Sequence, residues 1–265
     1  FVNKVRGLHV PPGAYLVTGD VSSLYTNMKH DRLMQVTREA FRRIPDPARD
    51  DENLLLLLDM TLRNNDFQFN GRIFLQTCGT AMGKAYAPSL ANLYLQELDD
   101  KAIAYDPAVL LFLRYIDDLF FVLFVSEQDL LRFRDFLNSL IPGIEVTLTW
   151  SREHVNFLDT TVYKKQLSFD TLLATRVYFK DTDNHQLLHP DSLHPVHTSR
   201  GVLKSQFIRF KRISSNKADY DHACGILMPA LQARGYSPRL MRRLKTQVWQ
   251  SACLLPTTKK NVPTL

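Results

Sequence analysis

Apolar and polar positions along the chain follow two periods in turn. Ala14–Met28, "AYLVTGDVSSLYTNM", is an apolar run closing on a polar turn, which predicts a short buried strand. Leu33, Val36, Ala40 and Phe41 then recur at helical spacing until Asp46–Pro47–Ala48 breaks the pattern. "ENLLLLLDMTLRN" predicts a second helix with a wide apolar face. In "DFQFNGRIFLQT", Asn70–Gly71 between apolar runs is a strong hairpin signal. "APSLANLYLQELDDKAIA" predicts a helix with Pro88 in its first turn and Leu90, Leu93, Tyr94 and Leu98 facing inward.

"VLLFLRYIDDLFFVLFV" predicts strand, tight turn, strand, and "EQDLLRFRDFLNSLI" an amphipathic helix ended by Pro142–Gly143. Three more strand patterns follow in "IEVTLTW", "VNFLDTTVYKK" and "LLATRVYF". Polar, His- and Pro-rich sequence then runs from about Lys180 to Ser199, and helical patterns return from Leu203 to Lys245. This shift places a boundary near Lys165–Lys180, and residues 255–265 read as a loose tail.

A chain of 265 residues is long enough for a sizeable core. Its net charge of +6 is compatible with a polyanionic partner without requiring one. The three cysteines, Cys78, Cys224 and Cys253, are far apart, which suggests neither a disulfide framework nor a cysteine zinc site and fits a reducing, intracellular setting. No apolar run approaches a membrane span and no signal peptide opens the chain. The sequence starts at Phe1 rather than Met, as a piece of a longer protein would.

Three carboxylates stand out. Asp20 closes the first strand, and Asp117 and Asp118 sit in the tight turn, between strand-like runs where Asp is disfavoured. Two Mg²⁺ ions about 3.5–4 Å apart are the simplest way to hold such charges together for phosphoryl chemistry. Taken alone, Asp-Asp in a hairpin is also ordinary turn chemistry, and Asp20 is compatible with a strand-end cap.

Tyr115-Ile116-Asp117-Asp118 resembles the catalytic signature of reverse transcriptases, and Asp20 followed by Tyr25 resembles its partner strand. "GTAMGKAYAPSLANLYL", from Gly79 to Leu95, resembles the family's nucleotide- and template-contacting segment, with Pro88 and Asn92 at the family's positions. "DVSSLYTN", "RYIDD", "VNFLDTTVY", the run Phe179–Ser214 and "RGYSPRLM" narrow the resemblance to reverse transcriptases of Penelope-like retroelements, relatives of telomerase reverse transcriptase. The resemblance spans Leu16 to about Leu244.

The resemblance implies an α+β fold: a right-hand polymerase palm with an antiparallel sheet and helices on one face, partial fingers at about 41–77, and a mainly helical thumb. Residues 1–170 would be palm with fingers and 171–254 a basic, thumb-like region, where eleven Lys or Arg face two Asp between Arg200 and Lys245. Asp20, Asp117 and Asp118 would be catalytic and would hold two Mg²⁺, or Mn²⁺. Tyr25 would block the 2′-hydroxyl of an incoming nucleotide, so that dNTPs are chosen over rNTPs. Met82, Gly83 and Lys84 would line the nucleotide pocket. Phe157, Leu158 and Asp159 occupy the place of the primer grip, which could equally be an ordinary hairpin. Arg200, Lys204, Arg209, Lys211 and Arg212 are candidate phosphate contacts, against the alternative of a solvated basic face.

The implied partners are an RNA template, a DNA primer, their RNA–DNA hybrid and dNTPs, with no membrane, in the nucleus. Most of the family carries a leading fingers segment, and only nineteen residues precede Asp20, so another segment or partner would supply it. No GIY-YIG endonuclease pattern follows Leu244. His185, His189, His194 and His197 form a cluster without cysteine, better read as part of a Pro-stiffened loop than as a zinc site. Two other functions stay open: a catalytically weak fragment that binds hybrid, and a related palm polymerase using another template.

Overall fold

The computed structural model describes residues 1–105, 108–167 and 170–251; the expected tail and Cys253 lie outside the described residues. α1 (Val2–Val5) opens the chain, followed by β1 (Tyr15–Ser22), α2 (Leu24–Asn27), α3 (His30–Arg43) and α4 (Asp51–Arg63). Next come β2 (Asp66–Phe69), β3 (Arg72–Leu75), α5 (Ala87–Tyr94) and α6 (Gln96–Ala104). Then follow β4 (Val109–Tyr115), β5 (Asp118–Leu123), α7 (Glu127–Leu140), β6 (Glu145–Ser151), β7 (His154–Phe157), β8 (Thr160–Gln166) and β9 (Thr171–Val177). α8 (Val196–Ile213), α9 (Lys217–Ala233) and α10 (Pro238–Gln250) complete the described chain. No helix among the described residues is long and apolar enough to cross a membrane.

The chain forms two compact units, one of Gly13–Val155 and one joining Phe1–Pro12 to the chain from Asn156 onward. This division falls earlier than the expected boundary at 165–180, and it draws the first twelve residues into the second unit. The physical reason is backbone pairing. Gly7 N donates to the Leu173 carbonyl at 2.9 Å and Val10 N to that of Thr171 at 3.0 Å, so the leading segment runs alongside β9.

The first unit is built on an antiparallel sheet in the order β4-β5-β1-β6. The central strand β5, "DLFFVL", is buried from Leu119 to Leu123, which explains its unbroken apolar run. Val17, Val21, Leu119, Phe121 and Val146 form the core with Leu90, Tyr94 and Leu98 of α5 and α6 and with Leu130, Phe133 and Leu137 of α7. The helix predicted across "APSLANLYLQELDDKAIA" breaks at Leu95 into α5 and α6. Gly19 lets three strands close up, because a Cβ there would lie 2.7 Å from Leu148 Cδ2 and 3.1 Å from the Thr147 carbonyl oxygen.

α4 and the β2–β3 hairpin form as the sequence predicts, with Asn70 and Gly71 both at positive φ. Their apolar side chains, however, stay largely in solvent: Leu56 is 58% exposed and Ile73 74%. The second unit pairs the sheet β7-β8-β9 with α8, α9 and α10 around Leu203, Phe207, Phe210, Tyr220, Leu227, Leu231 and Leu244.

Candidate active site

The register of the sheet pairs Asp20 on β1 with Asp118 on β5. Paired residues on antiparallel strands project from the same face with Cβ atoms about 4.5–5.5 Å apart, where like charges repel. Asp117 is the second residue of the two-residue turn joining β4 to β5. Its carbonyl accepts from Val21 N at 3.0 Å, which ties the turn to β1 next to Asp20. The backbone thus gathers all three carboxylates at one end of the sheet.

The first turn residue, Ile116, has φ 55°. Glycine normally occupies such a position, and a β-branched residue there is strained. The Ile116 carbonyl accepts from Arg114 Nη1 at 2.9 Å. The same guanidinium donates to Asn92 Oδ1 on α5 at 2.8 Å and, through Nε, to Asp99 Oδ1 on α6 at 2.7 Å. Arg114's side chain is 9% exposed, so this fork is a buried brace between two helices and the turn. Burial pushes the Asp99 carboxyl above its usual value, and Arg114 opposes that shift. Asn92, expected in the nucleotide-contacting segment, is engaged in this brace.

Tyr25 lies on α2, half-buried against the core. Burial raises its hydroxyl pKa, and the Asp117 charge and Tyr115 add to the shift, so Tyr25 sits within electrostatic reach of the turn. A latch holds it. Thr80 N donates to the Tyr25 carbonyl and Gly79 N to that of Met28, both at 2.8 Å. His30 Nε2 bonds the Gly79 carbonyl at 2.8 Å in a buried position. A Cβ on Gly79 would stand 2.2 Å from the Tyr25 carbonyl oxygen, and Gly79 has φ +79°. Within the chain, the close backbone approach is therefore made at Gly79, whereas a Cβ on Gly83 would meet nothing within 4 Å. Met82 is 81% exposed. Lys84 is exposed and carries no ion pair among the described residues.

Among the described residues, no three acidic, histidine or cysteine side chains converge into a ready-made metal cage. The donors at the turn nonetheless suit a hard cation. Among the described residues no basic side chain pairs with Asp20 or Asp117, and Mg²⁺ takes only one or two carboxylates, completing its shell with water and phosphate.

The expected primer-grip residues belong to the second unit. Phe157 is buried and packs on Phe1 with ring centroids 4.6 Å apart. Leu158, at φ 54°, and Asp159 form the turn between β7 and β8. Arg209 donates to Asp159 Oδ2 from Nε at 2.9 Å and from Nη2 at 2.7 Å, so this expected phosphate contact is already ion-paired. The ammonium of Lys211, another expected phosphate contact, donates to the carbonyls of Val248, Trp249 and Ser251 at 3.0, 2.9 and 2.6 Å and so caps the end of α10. Arg212 is exposed, and its carbonyl accepts from Arg6 Nη2. Arg200 and Lys204 are exposed without ion pairs among the described residues. Sequence reasoning missed Arg114, Asp99, Gly79 and His30, and it passed over the arginines of α10. "RYIDD" held Arg114 in view, but only the fold shows what it braces.

Comparison with known proteins places this geometry in a wider fold. Telomerase from Candida albicans, solved with the TWJ fragment of telomeric RNA, superposes with a TM-score of 0.61 over 91% of this chain at 10% identity. The RNA-dependent RNA polymerase of a human picorbirnavirus superposes at 0.50 over 88% of this chain at 12% identity. The chain spans 44% and 48% of those two chains, less than half of each. Its fold is therefore that of nucleic-acid polymerases of the telomerase and viral RNA-dependent type. Residues 186–246 match the model of an animal helix-turn-helix domain. No curated protein matches the chain.

Proposed function

We propose that the chain is an RNA-directed DNA polymerase, the reverse transcriptase of a Penelope-like retroelement. The observation that carries this reading is the Asp20–Asp118 register, with Asp117 tied beside it and Tyr25 within reach of the turn. In the proposed reaction a primer 3′-hydroxyl gives its proton to solvent water and attacks the α-phosphate of a dNTP. The new O–P bond replaces the bond to pyrophosphate, which leaves. Asp20 and Asp117 would hold Mg²⁺, with Asp118 in support; bound there, the metal would polarise the phosphoryl oxygens and stabilise charge on the attacking and leaving oxygens. The Arg114 brace would fix the turn, and the Gly79 latch would fix the ring of Tyr25 against the sugar. Lys84 would supply positive charge to the triphosphate.

Template, primer and dNTPs are the proposed partners. A second reading, synthesis of RNA by the same fold, is favoured by the likeness to the viral polymerase. Primer extension on an RNA template with Mg²⁺, comparing dNTPs with rNTPs in wild type and Tyr25→Ala, separates the two. The proposal expects dNTP extension by the wild type and a gain of rNTP use by the variant. Wild-type preference for rNTPs would overturn it in favour of the second reading.

A further inference from the structure

The β2–β3 hairpin keeps its apolar side chains in water and both its edges open. Every residue of the two strands is exposed. Neither outer edge is paired among the described residues, and a two-stranded hairpin on its own is marginal in water. Phe67 and Phe74 stack across the strands with ring centroids 5.6 Å apart, and Phe69, two residues along β2, shares their face. Phe67, Phe74 and Phe69 are 50%, 42% and 71% exposed, which leaves roughly 250–400 Å² in water. That alone is comparable to the largest apolar patch on a typical monomer, about 300–600 Å². Ile73 and Leu75 add exposed apolar surface on the other face.

The ladder shows which backbone groups are left over. Gln76 N donates to the Asn65 carbonyl at 2.8 Å. Bonded and non-bonded pairs alternate along an antiparallel ladder. In this register the bonded pairs are therefore Phe67–Phe74 and Phe69–Arg72, the second closing the two-residue Asn70–Gly71 turn. Ile73 and Leu75, which alternate with them, turn their N–H and C=O groups to the free edge. β3 has none of the devices that blunt such an edge: no lysine, no proline and no bulge.

We infer that β3 pairs antiparallel with β3 of a second copy of this chain, about a two-fold axis through Phe74. The strand is complementary to itself in that register. Phe74 opposite Phe74 of the copy sets Ile73 opposite Leu75 and Arg72 opposite Gln76. The outward groups of Ile73 and Leu75 then make four backbone hydrogen bonds in two bonded pairs. Phe74 meets its copy in a non-bonded pair, where side chains come closest. The row Phe67–Phe74 continues into Phe74–Phe67 of the copy across a four-stranded sheet, and no like charges are opposed. An axis through Ile73 would instead set Leu75 against Gly71 in the turn. The contact is isologous and closes on itself as a dimer. It does not depend on what the aspartates of the first unit do.

The test is sedimentation velocity of the whole chain without nucleic acid. The wild type should pass from monomer to dimer with a dissociation constant of about 1–100 µM, since four residues per strand make an interface smaller than the roughly 800 Å² per partner of standard ones. Phe74→Lys sets two like charges on the axis and should weaken the dimer at least about tenfold. Ile73→Pro removes an outward N–H that the hairpin itself does not use, at an edge where proline is tolerated. It should weaken the dimer by a similar factor with the melting temperature unchanged, which separates lost pairing from lost folding. Cross-linking reads the register. In a Cys78→Ser/Cys253→Ser chain oxidised with diamide, Phe74→Cys should form a disulfide-linked dimer, because non-bonded partners about 4.5 Å apart at Cα lie within disulfide reach. Ile73→Cys alone should not. A wild type that stays monomeric over this range would overturn the inference, and if its hairpin amides were still protected from hydrogen exchange, another segment would be the cover. A dimer indifferent to Phe74→Lys and Ile73→Pro, or one cross-linked through Ile73→Cys and not Phe74→Cys, would overturn it as well.

Discussion

Two hairpins in this molecule have the same backbone and different electrostatics. Ile116–Asp117 joins β4 to β5, and Leu158–Asp159 joins β7 to β8. Each is a two-residue turn with an aliphatic residue at φ near 55° followed by an aspartate. In each, the aspartate's carbonyl accepts a backbone N–H from elsewhere in its unit, Val21 at 3.0 Å in one and Tyr178 at 2.9 Å in the other. The side chains then part company. Asp159 is neutralised by Arg209, whereas Asp117 has no basic partner among the described residues and lies at the same end of the sheet as Asp20 and Asp118. Nor are the arginines alike: Arg114 braces the first turn through its carbonyl and leaves the carboxylates alone, while Arg209 grips the carboxylate itself. A turn that keeps its acid uncompensated and braces its backbone elsewhere is suited to bind a cation. A turn that pairs its acid is suited to hold structure.

The sharpest break of this comparison is to neutralise each aspartate. Asp117→Asn should lower primer extension by at least about 1,000-fold, the several kcal/mol that metal-held charge stabilisation supplies, with the melting temperature unchanged. Asp159→Asn should leave extension within a few-fold and cost at most about 1 kcal/mol, because its ion pair is half exposed. Equal losses of extension from the two would erase the distinction.

Removing the arginines tests the braces. Arg114→Ala strands the partly buried Asp99 carboxylate and should cost about 1–3 kcal/mol in chemical denaturation. Arg209→Ala, at an exposed pair, should cost no more than about 1 kcal/mol. A smaller effect at Arg114 than at Arg209 would mean that the buried fork is not what holds the first turn.

The second hairpin also carries a pH signature. Tyr163 on β8 donates to Asp219 Oδ2 at 2.7 Å, and burial, then that carboxylate, push its hydroxyl up to about 12. A phenol whose folded value lies above its unfolded one contributes stability fully present below about pH 10 and lost as pH rises through about 12. Tyr163→Phe should therefore cost roughly 1–2 kcal/mol at neutral pH, a charged-acceptor bond discounted for partial exposure, and flatten stability over that alkaline window. A wild-type and variant difference that stays constant from pH 9 to 12 would remove the bond from the account.

The sequence made most strands and the β2–β3 and β4–β5 hairpins legible, because β5 is an unbroken apolar run and Asn70–Gly71 has only one comfortable use. It also singled out Asp20, Asp117 and Asp118, since carboxylates amid apolar strand residues are conspicuous. It could not show Arg114, because its partners Asn92 and Asp99 come from two other helices. Nor could it show what Lys211 touches, for a related reason: a lysine on a basic helix looks solvent-facing until the end of α10 is placed beside it. The wide apolar face of α4 predicted burial that the structure does not give, since apolar periodicity reports what a face can bury and not what lies against it.

The smallest effect sharpens the comparison most finely, because it acts on the feature the two turns share. A non-glycine residue at positive φ costs about 1–2 kcal/mol, which glycine relieves at an entropic cost of about 0.5–1. Ile116 packs against the core of the first unit, so Ile116→Gly also loses buried apolar surface. Leu158 is half-buried and, among the described residues, is not part of the helical core cluster of the second unit. Leu158→Gly should therefore be neutral or stabilising by up to about 1 kcal/mol, and Ile116→Gly destabilising by about as much. Denaturation midpoints of the two variants decide it. The opposite order would mean that Ile116 is held at its left-handed φ by the Arg114 fork alone, with its side chain contributing nothing.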